Sequence, residues 1–348
     1  MLIEENQLLA PFTTFGIGGP ARWFVRAASE DEIAEAAAWA GDNGVALFVL
    51  GGGSNILVSD EGFSGLILHV VNKGIDAETD ATHTIYKVSA GEDWDAFVER
   101  TACDGCAGVE CLAGIPGTVG GTPVQNVGAY GQEVASVIQR VRAFDLQQYA
   151  FVEFTAAECD FSYRRSRFNS IDRERYIVSR VDYLLKPGGT PTVRYADLQK
   201  VLQERDAGKG EPTLTEVTDV VRRVRQNKGM LMVDGDPNCH SAGSFFKNPI
   251  VTESQVRQVT AATAKEPPRF PAGPGKVKLP AAWLIEQAGF SKGFTLGTAG
   301  ISSRHTLALI NCGGATAREI LDLASQIATE VKARFGIELE MEPVMLGF

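Results

Sequence analysis

The chain has 348 residues, 44% of them hydrophobic and 22% charged, a length and composition suited to two or three globular domains rather than one core. Its 43 acidic residues outnumber the 33 lysines and arginines, and the net charge of −10 excludes general binding along nucleic acid, which needs a basic face. No stretch approaches the roughly 20 apolar residues of a membrane span, and the first residues carry acids where a secretion signal needs lysine or arginine, so a cytoplasmic protein is expected.

In chain order, the first element is a helix in SEDEIAEAAAWAGDNG, opened by Ser29 and Glu32 as a capping box and stopped at Gly44. VALFVL follows as a buried strand, then GGGSN, then a second apolar strand, ILVS. From about 65 to 185 the pattern is short and strand-like, in GLILHVV, TIYKVSA, RVRAFDL and YIVSRVDYLL. A helix in DWDAFVERTA and a glycine-rich stretch from Gly114 to Gly131 interrupt it. KPGGTPTVRYADL reads as a loop carrying Tyr195. EPTLTEVTDVVRRVRQNK reads as a helix, with Thr213 and Glu216 at its start and an apolar stripe of Val217, Val220, Val221 and Val224. AKEPPRFPAGPGKVKLP reads as a loop and LPAAWLIEQAGF as a short helix. TAREILDLASQIATEVKARFG is a long amphipathic helix, capped by Thr316 and Glu319 and ended by Gly336. In the closing IELEMEPV, Glu338, Glu340 and Glu342 share one face at a period of two. Two of the three are expected in solvent, with Glu342 turned inward where Pro343 marks a strand end.

The six cysteines, Cys103, Cys106, Cys111, Cys159, Cys239 and Cys312, include one C-x-x-C that no second pair or nearby histidine answers; reduced structural thiols and no metal are expected. VLGGGSNIL fails the dinucleotide fingerprint, because Ile56 stands where a third glycine is needed and the next residues prefer strand. No G-K-[S/T] closes it as a phosphate loop. Two readings stay open: a tight hairpin without ligand, or a nest of backbone N–H groups around one anion. LAGIPGTVGGTPVQNVGAYGQE carries glycines at 114, 117, 120, 121, 128 and 131, a density that lets main chain approach a large flat ligand. Gln125, Asn126 and Tyr130 add polar groups to orient it, and Leu112, Ile115, Val119, Val124 and Val127 argue against an irregular surface loop. SAGSFFKNP places Ser244 behind Gly243, with no histidine at a spacing that makes it a hydrolase nucleophile.

TTFGIGGPA, LGGGSNILVSD, GIPGTVGGTPVQNVGAYGQE, FSYRRSRF, SAGSFFKNP, AAWLIEQAG and ISSRHTLALIN occur in one order between about residues 12 and 346. As an ordered set they resemble the UDP-N-acetylenolpyruvoylglucosamine reductases, flavoenzymes of peptidoglycan synthesis. TVRYADL, with its tyrosine in an inserted loop, resembles the type I branch. The resemblance implies an α+β chain: an FAD-binding fold of the vanillyl-alcohol-oxidase/PCMH type, in two α/β subdomains at 1–72 and 73–212. A C-terminal α+β substrate-binding domain would follow at 213–348, its last strand returning to the active site. The resemblance implies non-covalent FAD held by Gly51, Gly52, Gly53, Ser54, Asn55, Ile56, Pro116, Gly117, Thr118, Gly121, Thr122, Gln125, Gly128, Ala129, Tyr130 and Ile177, with NADPH as co-substrate. It implies hydride addition to the enolpyruvyl ether of UDP-N-acetylenolpyruvoylglucosamine, giving UDP-N-acetylmuramate.

Hydride adds at the terminal methylene carbon, so the neighbouring carbon takes enolate character and needs a proton from the opposite side. Ser244 resembles the family's proton donor, Arg164 its carboxylate-clamping arginine and Glu342 its catalytic glutamate, expected to act protonated. Lys228 falls at the diphosphate, Tyr195 closes over the substrate, and Asn248 and Gln287 meet the nucleotide or sugar. Lys278 is a further substrate-binding position. Arg165 and Arg167 are expected as surface charges, since alternating arginines in a strand cannot all face one pocket. Trp283 is expected in the core, and Cys239 and His240 in structural roles. Val344 departs from the family, which often has arginine there. A monomer acting on a UDP-sugar, without nucleic-acid or membrane partners, is expected. Two other readings remain: an oxidase of the same fold, which leaves Lys228, Tyr195 and SFFKNP without a task, and a nucleotide-sugar sensor without turnover, which has no use for the serine, arginine and glutamate.

Overall fold

The computed structural model describes residues 1–204 and 210–348. The chain divides into two compact units of discontinuous segments. Unit one is Met1–Gln7, Ala21–Gly52 and Ser64–Gln226; unit two is Leu8–Pro20, Gly53–Phe63 and Asn227–Phe348.

Among the described residues, unit one holds two main sheets, a two-stranded hairpin and four α-helices. In the four-stranded sheet the order is Glu4–Leu8, Pro20–Ala27, Phe63–Val70, Leu47–Leu50, the last two running parallel. Helix α1, Glu30–Asp42, begins where Ser29 Oγ accepts the N–H of Glu32. The Glu32 carboxylate reaches the N–H of Ala28 instead of closing the box on Ser29. Its buried face, Ile33, Ala36, Ala37 and Ala40, has the spacing of a helix packed on one side. The larger sheet is antiparallel, in the order Ala150–Thr155, Ile138–Asp145, Tyr176–Pro187, Thr84–Ser89, Ile75–Thr79. Helix α2, Trp94–Cys103, is capped by Asp93, which accepts the N–H of Ala96 at 2.8 Å. It buries Trp94, Phe97 and Val98 in the same core as Val141, Val181 and Tyr183.

Two further helices close this unit. Helix α3, Ala196–Gln203, begins directly after Tyr195, so the segment expected as a loop ends in a helix. Its good helix formers and the buried Leu198 decide this; the prolines and glycines before it hid the signal. Helix α4, Leu214–Asn227, carries the predicted valine stripe and a reciprocal cap, Glu216 N–H to Thr213 Oγ1 and Thr213 N–H to Glu216 Oε2.

Unit two pairs Ile56–Val58 in parallel with Val344–Leu346. Helix α5, Glu253–Thr263, is an element the sequence reading missed, although Thr252 and Gln255 form a full capping box before it. The segment expected as a proline- and glycine-rich loop supplies two short strands, Phe270–Pro271 and Lys276–Lys278, beside Ile250–Thr252. Pro271 sits on the edge strand, where a missing N–H costs no ladder bond. A second small sheet joins Thr295–Leu296, Ala299–Ile301 and Leu309–Asn311. Helices α6, Ala281–Gln287, and α7, Ala317–Phe335, complete the unit. Helix α7 has the predicted box at Thr316 and Glu319 and a left-handed Gly336 at its end. Its Ile320, Leu323, Ile327 and Val331 pack in one cluster with Phe245, Phe246 and Leu284.

Candidate active site

The hairpin reading of GGGSN does not survive. The strand before it, Leu47–Leu50, pairs with Phe63–Val70, and the strand after it, Ile56–Val58, pairs with Val344–Leu346. The two strands lie in different sheets and do not pair with each other, as a hairpin would require. Gly52 instead lies against the second glycine segment: a Cβ there would stand 2.6 Å from Gly117 Cα and 3.0 Å from its carbonyl carbon. A Cβ on Gly51 would meet Thr118 Oγ1 at 2.6 Å. The two glycine segments therefore touch backbone to backbone, an approach that side chains forbid.

The second segment is an ordered structure. Trp94 N–H donates to Gly117 O, Val119 N–H to Glu92 O and Gly120 N–H to Ala90 O. Val119 is buried at the start of a short 3-10 turn, and Gly128–Ala129 pairs with Gln132–Glu133 as a small hairpin. Gly121, by contrast, is exposed, and a Cβ there would meet no atom within 4 Å. Pro116, Gly117, Thr118, Gln125, Ala129 and Tyr130 are half-buried, and Gly128 is buried. Ile177 is fully buried in the core of unit one.

The polar side chains of these segments divide into two sets. Asn126, expected to orient a ligand, is spent on the protein: Nδ2 donates to Glu133 Oε2 and Ser162 O, and Oδ1 accepts the N–H of Ala135. Thr122 is spent as well: Oγ1 meets the Tyr183 hydroxyl at 2.6 Å, its N–H donates to Val119 O and its carbonyl accepts the N–H of Val127. Asn55 Nδ2 donates to Glu342 O. Ser54, Thr118 and Gln125 engage no protein group through their side chains among the described residues. A surface of open glycine backbone with unspent polar side chains suits a flat cofactor with a diphosphate, which meets backbone N–H groups and few side chains.

FSYRRSRF is a tight turn rather than the strand its alternation suggested. Ser162 and Arg165 exchange two backbone hydrogen bonds, and Arg164 holds a left-handed φ of 55° at the corner. Arg164 Nη2 donates to Gly128 O at 2.8 Å, which brings the guanidinium to the second glycine segment. Arg165 is exposed, as expected. Arg167 is not a surface charge: it pairs with Asp172 at 2.6 Å and lies 4.3 Å over the Phe154 ring. Its position inside the turn, rather than a strand period, decides this. Tyr195, exposed at the start of α3, meets the Tyr130 ring edge-on at 5.3 Å between centroids.

In unit two the structure brings Ser244 and Glu342 onto neighbouring backbone. Glu342 N–H donates to Phe245 O, Lys247 N–H donates to Glu340 O, and Phe246 bridges Met341. On the other side Phe245 N–H donates to Leu307 O, and Thr14 Oγ1 donates to Ser241 O at 2.6 Å. Gly243, at φ 71°, makes the turn that presents Ser244. The Ser244 side chain is half-buried and makes no hydrogen bond among the described residues, so it is not a serine satisfying a turn. Glu338 and Glu340 are exposed while Glu342 is half-buried. These three do not sit in a regular strand, which begins only at Val344. Val344 pairs with Ile56 and supplies no charge there.

The remaining positions are scattered over unit two. Lys228 follows α4, Lys278 closes the strand Lys276–Lys278, and Gln287 ends α6; all three are half-buried. Asn248 Oδ1 accepts the N–H of Ala281 at 2.9 Å and so caps α6, which carries Gln287. Trp283 packs against the core, and Cys239 is buried. Burial pushes the thiols of Cys111 and Cys159 up to about 12, which keeps them protonated and inert.

Sequence reasoning missed Arg225 on α4. It is buried, donates from Nε to Gly114 O at 2.8 Å and hydrogen-bonds Tyr130. Burial pushes its guanidinium down from the usual arginine range, while Tyr130 and Asp95 work against that shift. The signal was present: Arg225 stands four residues after Val221, on the apolar stripe. One turn earlier Arg222 pairs with Asp95, whose Oδ1 also accepts the N–H of Gly114. Both backbone groups of Gly114 are thus held by side chains from outside the glycine segment.

Comparison with known proteins follows the same division. A profile described as FAD binding domain matches residues 21–147, which contain both glycine segments. A profile of the UDP-N-acetylenolpyruvoylglucosamine reductase C-terminal domain matches 236–346, which contain Ser244 and Glu342. The UDP-N-acetylenolpyruvoylglucosamine reductase of Streptomyces coelicolor is 45% identical over 97% of this chain and 89% of its own length. That of Thermobifida fusca is 43% identical over 99% and 98%. The crystal structure of the Thermus caldophilus enzyme superposes with a TM-score of 0.67 at 27% identity, covering 99% of both chains. Likeness at this level along nearly the whole length, with both profiles in their expected order, means that the chain belongs to the UDP-N-acetylenolpyruvoylglucosamine reductase family.

Proposed function

We propose that this chain is an FAD-dependent reductase that converts UDP-N-acetylenolpyruvoylglucosamine to UDP-N-acetylmuramate, with NADPH as reductant, in peptidoglycan precursor synthesis. The observation that carries the reading is the joining of Ser244 to Glu342 by the Glu342–Phe245 backbone bond, in a chain that also matches an FAD binding domain. FAD, when bound, would supply the hydride chemistry that links NADPH to the terminal carbon of the enolpyruvyl group. The glycine segments at 51–56 and 116–130 hold it, through backbone at the glycines and through Ser54, Thr118 and Gln125. The sheet of Glu4–Leu8, Pro20–Ala27, Phe63–Val70 and Leu47–Leu50 and the larger sheet that begins at Ile75 support two FAD-binding subdomains at 1–72 and 73–212, to be followed by a substrate domain at 213–348.

The chain's own residues then handle charge and proton. Arg164 offers its fork to the substrate carboxylate and stabilises negative charge as it builds there. Ser244 Oγ–H donates its proton to the carbon beside that carboxylate, from a position its turn fixes. Protonated Glu342 adds a hydrogen bond to the same developing charge. Lys228 and Lys278 meet the diphosphate, Asn248 and Gln287 the nucleotide or sugar, and Tyr195 closes from its segment. The enzyme works as a cytoplasmic monomer; no helix among the described residues is long and apolar enough to cross a membrane.

The test is an absorption spectrum followed anaerobically in one cuvette. A flavin band that bleaches with NADPH and returns with UDP-N-acetylenolpyruvoylglucosamine is expected. Bleaching without return sinks the substrate, and a protein that takes up no FAD sinks the reading of both glycine segments.

A further inference from the structure

The carboxylate of Glu110 has no part in the reaction described above, yet its contacts close a circuit around Tyr195. Glu110 is only 2% exposed. Oε1 accepts from Gln132 Nε2 at 2.8 Å and from the Thr192 N–H at 3.0 Å. Oε2 accepts from the Gly108 N–H at 2.8 Å. Each of these three partners is an N–H donor, so the position needs a side chain that accepts on both oxygens. Gln132 is fixed in turn, because its Oε1 accepts the Cys111 N–H at 2.8 Å.

Gln132 opens the second strand of the Gly128–Ala129/Gln132–Glu133 hairpin. The turn residues are Tyr130, at φ 49°, and Gly131, at φ 85°, the signs of a two-residue hairpin turn. The Tyr130 ring meets Tyr195, and Tyr195 follows Thr192 by three residues. Thr192 O also receives the Cys111 thiol, at 3.7 Å. The circuit therefore runs from Glu110 through Gln132 and the hairpin to Tyr130, across to Tyr195, and back along the chain through Thr192 to Glu110. Every link lies in unit one. Tyr195 is 42% exposed and meets the Tyr130 ring edge-on. The buried carboxylate joins the two segments by hydrogen bonds, to Gln132 on one side and to Thr192 on the other.

We propose that Glu110 is a positioning residue for Tyr195: it ties the hairpin that carries Tyr130 to the segment that carries Tyr195 and so fixes the spacing of the two rings. This rests on Tyr195 being the group that closes over the UDP-sugar. Glu110→Gln replaces one acceptor with an NH2 that faces an N–H donor. The first readout needs no substrate. Arg194 is exposed in the same segment, and trypsin cleavage after it in the FAD-loaded protein is expected to run about 10-fold faster in the variant, as the loss of a charged hydrogen bond frees the segment. Cleavage at the wild-type rate overturns the proposal whatever the enzyme's activity. The second readout is kinetic. KM for the UDP-sugar should rise about 10-fold with flavin bleaching by NADPH unchanged. In a Tyr195→Ala background the same substitution should add nothing further. An equal rise in both backgrounds means that Glu110 does not act through Tyr195. A wild type that fails to turn over the UDP-sugar defeats the functional reading alone, and the trypsin arm still decides this one. Should Glu110→Gln not retain FAD, Thr192→Pro removes the N–H that Glu110 accepts, while also fixing φ there, in a segment outside helix and strand. It carries the same two expectations, and wild-type behaviour there overturns the proposal.

Discussion

Replacing Gly52 by alanine tests whether the two glycine segments are locked as described. The added methyl would stand 2.6 Å from Gly117 Cα, 3.0 Å from Gly117 C and 3.2 Å from Thr118 N. Unstrained carbon contacts lie at about 3.5–4.0 Å, so the segments must part by roughly 1 Å. All three neighbours are main chain, and no change of rotamer relieves them. Overpacking of this kind costs about 1–3 kcal/mol. Borne by the cofactor-bound state, that is a roughly 5- to 150-fold loss of FAD affinity. The assay is titration of apoprotein with FAD, followed by flavin fluorescence, beside a thermal melt of the apoprotein. Gly121→Ala is the control for folding, because its methyl meets no protein atom within 4 Å and its apoprotein should melt as wild type. Wild-type FAD affinity and melting in Gly52→Ala would refute the contact between the two segments.

Ser244→Ala should leave flavin reduction by NADPH nearly intact and slow reoxidation by the enolpyruvyl sugar by about 10²–10⁴-fold, the range for a positioned proton donor; stopped-flow absorbance separates the halves, and equal loss in both removes that role. Arg164→Lys keeps the charge but not the fork, so the same reoxidation step should fall by about 10²-fold or more; a lysine variant with wild-type reoxidation excludes a bidentate clamp. Asp145 is buried, and Arg175, hydrogen-bonded to it at 2.7 Å, holds its carboxyl below the usual range. A folded value below the unfolded one means that its stabilisation is complete above about pH 4 and is lost as the pH falls through the folded value. Arg175→Gln should therefore lower Tm at neutral pH and flatten the further loss of Tm on acidification below about pH 4. An unchanged acid slope in that variant would assign the acid response to other carboxylates.

Much of the molecule was readable from short stretches of sequence. The caps at Ser29, Thr213 and Thr316, the stop at Gly336 and the valine stripe of α4 each depend on residues a few positions apart, and all appear in the structure. The ordered glycine and serine motifs likewise pointed to a flavoprotein family that the relatives bear out. Helix α5 was missed although its capping box is local, but several other gaps share one cause. Whether GGGSN forms a hairpin depends on the partners of its flanking strands, and one of those partners is Val344–Leu346, at the far end of the chain. The bond from Asn55 to Glu342 spans 287 residues. The burial of Arg167 over Phe154, the consumption of Asn126 by Glu133 and Ser162, and the insertion of Arg225 beneath Gly114 are likewise settled by who arrives from elsewhere. Local sequence determined helices and turns, because backbone propensity and capping act within a few residues. Only the tertiary structure decided which polar side chains remain for a ligand and which are spent on the protein, because a hydrogen bond is allotted by proximity in space.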